Sequence, residues 1–309
     1  MKICVIGGAG FIGSHCCEAL LALNHEVICL DNFQTSTREN IEPFFSHPNF
    51  SFIFHDITMP FDVPCDAQIH CAAIASPKFY MKDPLKTALT IGVGSVHVLE
   101  NATRYHAMTL LLSTSEVYGE PLEHPQKETY SGNVTINSLR ASYDESKRYM
   151  ETLGFVYAHE KQIDVKVVRL FNTYGPRMQL NDGRIVTQMI HAYKHQVPLT
   201  IFGDGEQTRC FSYIDDTLEQ LLHVFFHGPC NTPINCGSNI EITINELIQI
   251  FETVVLKPLN KVFCPALSHD PRLRQPDLSR IDALMKRNIT PLSVGLRKTL
   301  ESFNHDSVD

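Results

Sequence analysis

Tyr143 and Lys147 stand one helical turn apart in YDESK, so on a helix both side chains leave the same face. An unperturbed tyrosine ionises near pH ~10, and an ammonium group beside it favours the phenolate. Such a pair makes a base able to take a hydroxyl proton as hydride leaves the neighbouring carbon. Alone, this spacing more often marks a solvated helix face. A second cluster lies in STSEVYG (113–119), where Thr114, Ser115 and Glu116 follow the apolar run Met108 to Leu112. If that run is a buried strand, its C-terminal end is where an α/β protein gathers chemistry, and these side chains point into a site. The plain alternative is a polar turn that stops the strand.

The N-terminal segment supplies a context for both clusters. GGAGFIG (7–13) follows an apolar run and precedes an amphipathic one, and its glycines Gly7, Gly10 and Gly13 let the backbone approach a pyrophosphate at a helix N-terminus. Asp31 follows Gly13 by 18 residues, at the end of the next apolar run. A carboxylate there accepts from the ribose hydroxyls of adenosine and repels a 2′-phosphate, which favours NAD over NADP. With this pattern upstream, the tyrosine–lysine pair reads as functional.

The elements that must position these residues alternate. Ile3 to Ile6, Val27 to Leu30, Phe50 to Phe54, Ala67 to His70, Met108 to Leu112 and Val165 to Leu170 read as strands; Phe11 to Leu23, Gly92 to His106 and Tyr143 to His159 read as helices. That rhythm predicts an α/β fold with a Rossmann-type doubly wound parallel sheet over residues 1–175. Beyond it, loops rich in Gly, Asp and Arg predict a smaller lobe over 176–309, with PINCG (233–237) returning a strand to the main sheet.

Composition narrows the function. A net charge of −8 argues against broad nucleic-acid binding but leaves room for a local anion site, for which Arg177, Arg184, Arg209, Arg272 and Arg274 are candidates. Ten cysteines lie mostly within apolar runs (Cys4, Cys29, Cys71, Cys236), and no C-x-x-C pair occurs. They read as reduced thiols in a reducing compartment. No apolar run reaches the ~18 residues of a membrane span, so the expectation is a soluble, cytoplasmic chain. His191/His195 and His223/His227 have the spacing of metal ligands, but no third ligand completes either pair, and no metal site is expected. Asp215 and Asp216, just before an apolar-periodic stretch, read as helix-capping carboxylates.

Together GGAGFIG, DNF, STSEVYG and YDESK resemble the extended short-chain dehydrogenase/reductase superfamily of NAD-dependent nucleotide-sugar epimerases, dehydratases and decarboxylases. The likeness continues through HPQKETYSGNV, RLFNTYGPRM, NDGR, PLTIFGDGEQTR, YIDD and DPRLRQPD, and in detail is greatest to the branch that decarboxylates UDP-glucuronate. The resemblance implies that Gly7, Gly10, Phe11, Ile12, Gly13, Asp31, Asn32, Asp56 and Ile57 hold the adenosine and pyrophosphate of NAD, with Tyr143 and Lys147 at its nicotinamide end. It implies that Asn172, Arg184 and Arg209 bind the nucleotide-sugar, and that Arg274, in the D-x-x-x-R-x-P-D pattern of 270–277, lies near the sugar carboxylate. A guanidinium suits either a carboxylate or a diphosphate bidentately.

The implied reaction oxidises the sugar at C4, with Tyr143 taking the proton and Thr114 bonding the same oxygen. Dehydrating relatives carry Asp-Glu after the threonine; Ser115 is too weakly acidic to replace that aspartate. A C6 carboxylate, β to the new ketone, can instead leave as carbon dioxide, with Glu116 assisting either its loss or the return of a proton to C5. Ile91, Ser131 and TINS (135–138) depart from the superfamily pattern and are expected to border the site. Alternatives are a UDP-glucuronate 4-epimerase or a dehydratase, and a non-catalytic dinucleotide sensor. The resemblance also implies a homodimer packed through the Gly92–His106 and Tyr143–His159 helices.

Overall fold

The computed structural model describes residues 1–266 and 271–305; Asp270, first of the 270–277 pattern, lies outside them. In chain order the strands are β1 (Lys2–Ile6), β2 (Glu26–Asp31), β3 (Phe50–Phe54), β4 (Ala67–His70), β5 (Met108–Thr114), β6 (Val165–Leu170), β7 (Thr173–Tyr174), β8 (Leu199–Phe202), β9 (Thr208–Cys210), β10 (Ser212–Tyr213), β11 (Pro233–Cys236), β12 (Glu241–Thr243) and β13 (Lys261–Cys264). The α-helices are α1 (Phe11–Ala22), α2 (Pro77–Tyr80), α3 (Pro84–Tyr105), α4 (Ala141–Lys161), α5 (Ile185–His195), α6 (Ile214–His227), α7 (Ile244–Val255), α8 (Ser279–Leu284) and α9 (Leu292–His305).

Seven strands form one parallel sheet in the order β11-β6-β5-β4-β1-β2-β3. The order reverses between β1 and β4, and a ligand crevice opens at the C-terminal ends of strands at such a switch point. Both faces are covered, as an all-parallel sheet requires. Period-two alternation sorts the side chains: Ile3 and Val5 join α1 and α6 on one face, while Cys4 and Ile6 turn to the face covered by α3. In β5, Leu110 and Leu112 take the first face and Leu111 packs on the α3–α4 side.

A second core gathers α5, α7 and α9 around Met189, Ile201, Leu247, Phe251 and Leu296. The chain does not pass cleanly from one core to the other at residue 175. α6, β11 and α8 return to the main sheet, where Leu221, Phe225, Ile234 and Ile281 are buried beside α1. The strand at Pro233–Cys236 is held by Asn235, whose side chain donates to the carbonyls of Gln126 and Asp277, both at 3.0 Å, and accepts from Tyr118 at 2.7 Å.

Of the element boundaries that differ from the sequence reading, two bear on the site. α3 begins at Pro84 rather than Gly92, because Asp83 caps it through Lys86 N at 3.0 Å and proline is pre-shaped for the first helical position. The internal glycine Gly94 serves packing, since a Cβ there would lie 2.4 Å from Ile57 Cδ1. β5 runs on to Thr114, so only Ser115–Tyr118 form the turn.

Candidate active site

At the switch point, β1 passes through the glycine turn into α1. Gly7 has φ +79°, and a Cβ on it would lie 2.6 Å from Ala72 N; a Cβ on Gly13 would lie 2.1 Å from Gly7 O. Gly10 leads into α1 with no side-chain cap and no acidic residue in the first turn, so the free N–H groups and the positive end of the helix dipole face the crevice unopposed. This backbone cradle fits a dinucleotide pyrophosphate.

Gly7, Asp31, Asn32, Asp56 and Ile57 line a recess beside it, with Thr90. The Asp31 carboxylate accepts from Ala9 N at 3.0 Å, Phe33 N at 2.8 Å and Ser36 Oγ at 2.8 Å, tying the glycine turn to the loop after β2. Asp56 is engaged by Lys86 Nζ at 2.7 Å and by Thr58; burial would raise its carboxyl, but these hydrogen bonds hold it at about 2. Phe11, Ile12 and Gly13 face the adjoining larger cleft of about 420 Å³.

That cleft brings together Thr114, Ser115, Glu116, Tyr143, Lys147, Asn172, Arg184 and Arg209 from segments far apart in sequence. Tyr143, in the first turn of α4, is 6% exposed, stacks on Tyr80 with centroids 5.2 Å apart and has the Thr114 hydroxyl beside it. The expected lowering of its phenol by Lys147 is not what the structure shows. Burial, reinforced by the charge of Glu116, pushes the phenol well above its ordinary value despite the neighbouring Thr114 hydroxyl. Lys147 instead donates to Leu112 O at 2.6 Å, and burial lowers its ammonium to about 8.

The turn after β5 departs most from expectation. Arg274, 1% exposed, does not line the cleft: its Nη1 donates to the carbonyl of Ser115 and its Nη2 lies 3.4 Å from Glu116 Oε2. It therefore braces the turn from behind rather than facing a sugar carboxylate. At this turn the guanidinium lining the cleft is that of Arg140, just before α4, with Nη2 donating to Glu116 Oε2 at 2.5 Å. Burial would raise the Glu116 carboxyl, but Arg274 and Arg140 hold it at about 2. Sequence reasoning missed Arg140 and Tyr80. Arg140 left one usable signal, its i, i+4 relation to Asp144 inside YDESK, which the structure realises at 3.6 Å.

Along the cleft, Arg184 pairs with Asp182 at 3.1 Å and Arg209 Nη1 donates to Thr208 O at 2.8 Å. Arg177 also lines it, paired with Glu18 at 2.6 Å, whereas Arg272 is exposed, 3.8 Å from Asp204. Ile91 does not border the cleft: it is fully buried with Tyr143 and Met150 between α3 and α4. Ser131 and Ile136 are exposed on the loop before α4. Asp216 does not cap α6; its carboxylate takes Thr290 N at 2.6 Å and Thr290 Oγ1 at 2.8 Å, fastening the chain before α9. The His191 and His195 rings lie 4.4 Å apart, tilted by 42°, and no cluster of three metal-ligating side chains occurs among the described residues. There too, no helix is long and apolar enough to cross a membrane, and all ten cysteines are free.

A seven-stranded parallel sheet with a glycine cradle at its switch point and a Tyr-x-x-x-Lys pair on the adjoining helix defines a Rossmann-type, NAD-using class of protein. The chain belongs to the NAD dependent epimerase/dehydratase family, which it matches over residues 3–237. It is 39% identical to UDP-glucuronic acid decarboxylase 1 of Danio rerio over 99% of this chain and 73% of that protein. It is 43% identical to UDP-glucuronic acid decarboxylase 1 of Arabidopsis thaliana over 91% of this chain, and there it spans 64% of the relative's length. Among solved structures it is similar to UDP-glucuronic acid 4-epimerase from Bacillus cereus in complex with UDP-glucuronic acid and NAD. The two are 28% identical with a TM-score of 0.88 over 99% of both chains.

Proposed function

We propose that this protein converts UDP-glucuronate to UDP-xylose through a 4-keto sugar, with no net redox change. The observation that carries the reading is the turn Thr114-Ser115-Glu116, in which a serine stands where dehydration needs a carboxylic acid and the glutamate is fixed as a carboxylate between two arginines. Bound in the cradle, NAD supplies the hydride acceptor and, later in the cycle, the hydride donor. Gly7, Gly10, Phe11, Ile12, Gly13, Asp31, Asn32, Asp56 and Ile57 hold it, and Lys147 orients its nicotinamide end. Arg184, Arg209 and Asn172 hold the nucleotide-sugar, the arginines meeting its diphosphate.

Tyr143 takes the proton of the 4-hydroxyl while Thr114 donates to the same oxygen. The ketone so formed is β to the C6 carboxylate. Carbon dioxide then leaves with its electron pair spread onto the C4 oxygen, where the Tyr143 and Thr114 hydroxyls both donate to the developing charge. Ser115 has no acidic proton to expel a hydroxyl group, so elimination of water lacks its acid. Arg140, which lines the cleft beside Glu116, meets the C6 carboxylate, and Arg274 acts through the turn.

A second reading, 4-epimerisation of UDP-glucuronate, is favoured by the likeness to the Bacillus cereus enzyme. Carbon dioxide separates the two. With NAD present, one carbon dioxide released per UDP-glucuronate consumed is the expected result, and a 4-epimer formed without carbon dioxide overturns the decarboxylase reading. Binding of NAD without turnover of any nucleotide-sugar would point to a sensor.

The same reading includes a homodimer in a reducing, cytoplasmic setting, supported by the ten free thiols and by the outer face of α3 and α4. That face exposes Leu85 (70%), Leu89, Val93, Tyr149, Phe155 (57%) and Val156. Sedimentation is expected to give a dimer at assay concentration, and Phe155→Glu to shift it toward monomer; an unaltered protein that sediments only as monomer contradicts this.

A further inference from the structure

Tyr143 stands in the first turn of α4, its backbone N–H donating to Arg140 O at 3.0 Å. That fixes its Cα, but the ring still turns about its side-chain torsions, so the place of its oxygen is set by what packs against the ring. One flat face is covered by Tyr80, with centroids 5.2 Å apart and planes inclined by 8°. Parallel rings at that separation are offset, the arrangement aromatic pairs favour. Ile91 and Met150 complete the buried cluster around the pair. Tyr80 is 1% exposed, yet lines the cleft beside Tyr143.

Tyr80 ends α2, a four-residue helix too short to hold itself in place. Its anchors come from elsewhere. The hydroxyl of Ser76, at the N-cap, donates not to the helix but to Asp182 O, and Lys78 Nζ donates to Asn181 O at 2.8 Å. A Cβ on Gly183 would lie 3.1 Å from Lys78 Cβ, so the 181–183 loop rests on α2. At the other end Asp83 N donates to Phe79 O at 3.2 Å, where the chain turns into α3. The same loop leads into Arg184, which pairs with Asp182 at 3.1 Å. α2 is thus held between the loop assigned to the nucleotide-sugar and the tyrosine assigned to its 4-hydroxyl. Resting on the base role given to Tyr143 above, we propose that Tyr80 is the positioning residue for that base. Its ring, seated by the 181–184 loop, holds the Tyr143 oxygen in line with the 4-hydroxyl, and its own hydroxyl has no part in this. A displacement of about 1 Å at a reacting atom costs up to ~100-fold in rate. The cost falls on kcat, because Tyr80 acts through Tyr143 while Arg184 and Arg209 meet the diphosphate.

The test compares the unaltered protein, Tyr80→Phe, Tyr80→Met and Tyr80→Leu with UDP-glucuronate, counting turnover per NAD-loaded site. Phenylalanine keeps the ring, whereas methionine and leucine fill the space without a flat face. Tyr80→Met and Tyr80→Leu are expected to lose about 10–100-fold in kcat, with KM for UDP-glucuronate and NAD affinity within about threefold. Tyr80→Phe is expected to restore kcat to within about threefold of the unaltered protein. A merely structural role would lower the number of loaded sites and leave the rate of each unchanged. A non-aromatic variant that turns over within about twofold of the unaltered protein, or that loses rate through KM alone, overturns the proposal. Tyr80→Phe differs by one oxygen and keeps the packing, so a fall of more than about tenfold in that variant overturns it independently, by placing the hydroxyl rather than the ring at the reaction. Full turnover by Tyr143→Phe would instead remove the base role on which the positioning rests.

Discussion

Tyr143→Phe is expected to lower turnover of UDP-glucuronate by about 10²–10⁴-fold while NAD affinity stays within about threefold. The phenol is 6% exposed, beside the Thr114 hydroxyl and stacked on Tyr80 at 5.2 Å. Phenylalanine keeps the ring, the stack and the packing against Ile91 and Met150, and removes only the oxygen. The loss therefore falls on kcat. Because burial holds the phenol protonated well above its ordinary range, proton acceptance depends on what fills the cleft rather than on Lys147 alone. Stopped-flow turnover and calorimetric NAD titration read the two quantities separately. A variant that keeps more than about a tenth of its turnover removes Tyr143 from the base role.

Gly13→Ala is expected to weaken NAD binding by about 100-fold or more and to cost roughly 1–3 kcal/mol of stability. A Cβ at this position would lie 2.1 Å from Gly7 O and 2.8 Å from Gly8 Cα. Both are backbone atoms of the turn that cradles the pyrophosphate, so neither can swing aside as a side-chain tip would. Opening the turn to admit the methyl group moves the N–H groups away from the anion they would bind. Gly92→Ala is the control: a Cβ there meets only Tyr149 at 3.8 Å, and NAD affinity should be unchanged. An alanine at 13 with ordinary NAD affinity contradicts the cradle.

The parallel sheet was legible because its strands are short buried runs punctuated by helices of a different period, and the glycine turn because its spacing sits between a strand and a helix. Tyr143 and Lys147 were legible for a similar local reason, being one turn apart on a single helix. What escaped the sequence depends on contacts between distant segments. Arg274 reaches Ser115 because Gln126 N donates to Gln275 O and Asp277 N to Gln126 O, both at 2.8 Å, drawing the 274–277 segment beneath the turn. Nothing in the local pattern of either segment announces that crossing. Ile91 escaped through a helix start misplaced at Gly92: with α3 begun at Pro84, Thr90 faces the recess and Ile91 turns into the α4 interface. The ionised state of Glu116 follows from Arg274 and Arg140 closing on it, a placement fixed only when the 274–277 segment and the loop before α4 meet the turn after β5.

The central claim is a decarboxylation enclosed within a redox cycle that closes on itself. The most direct measurement is proton NMR of the sugar made from UDP-glucuronate in deuterated water with NAD present at far below substrate concentration. The expected product is UDP-xylose, formed to completion, with one solvent deuteron at C5 and C4 carrying its original hydrogen. A product that keeps the C6 carboxylate with C4 inverted, or a 4-keto sugar accumulating in step with NAD consumed, would contradict it.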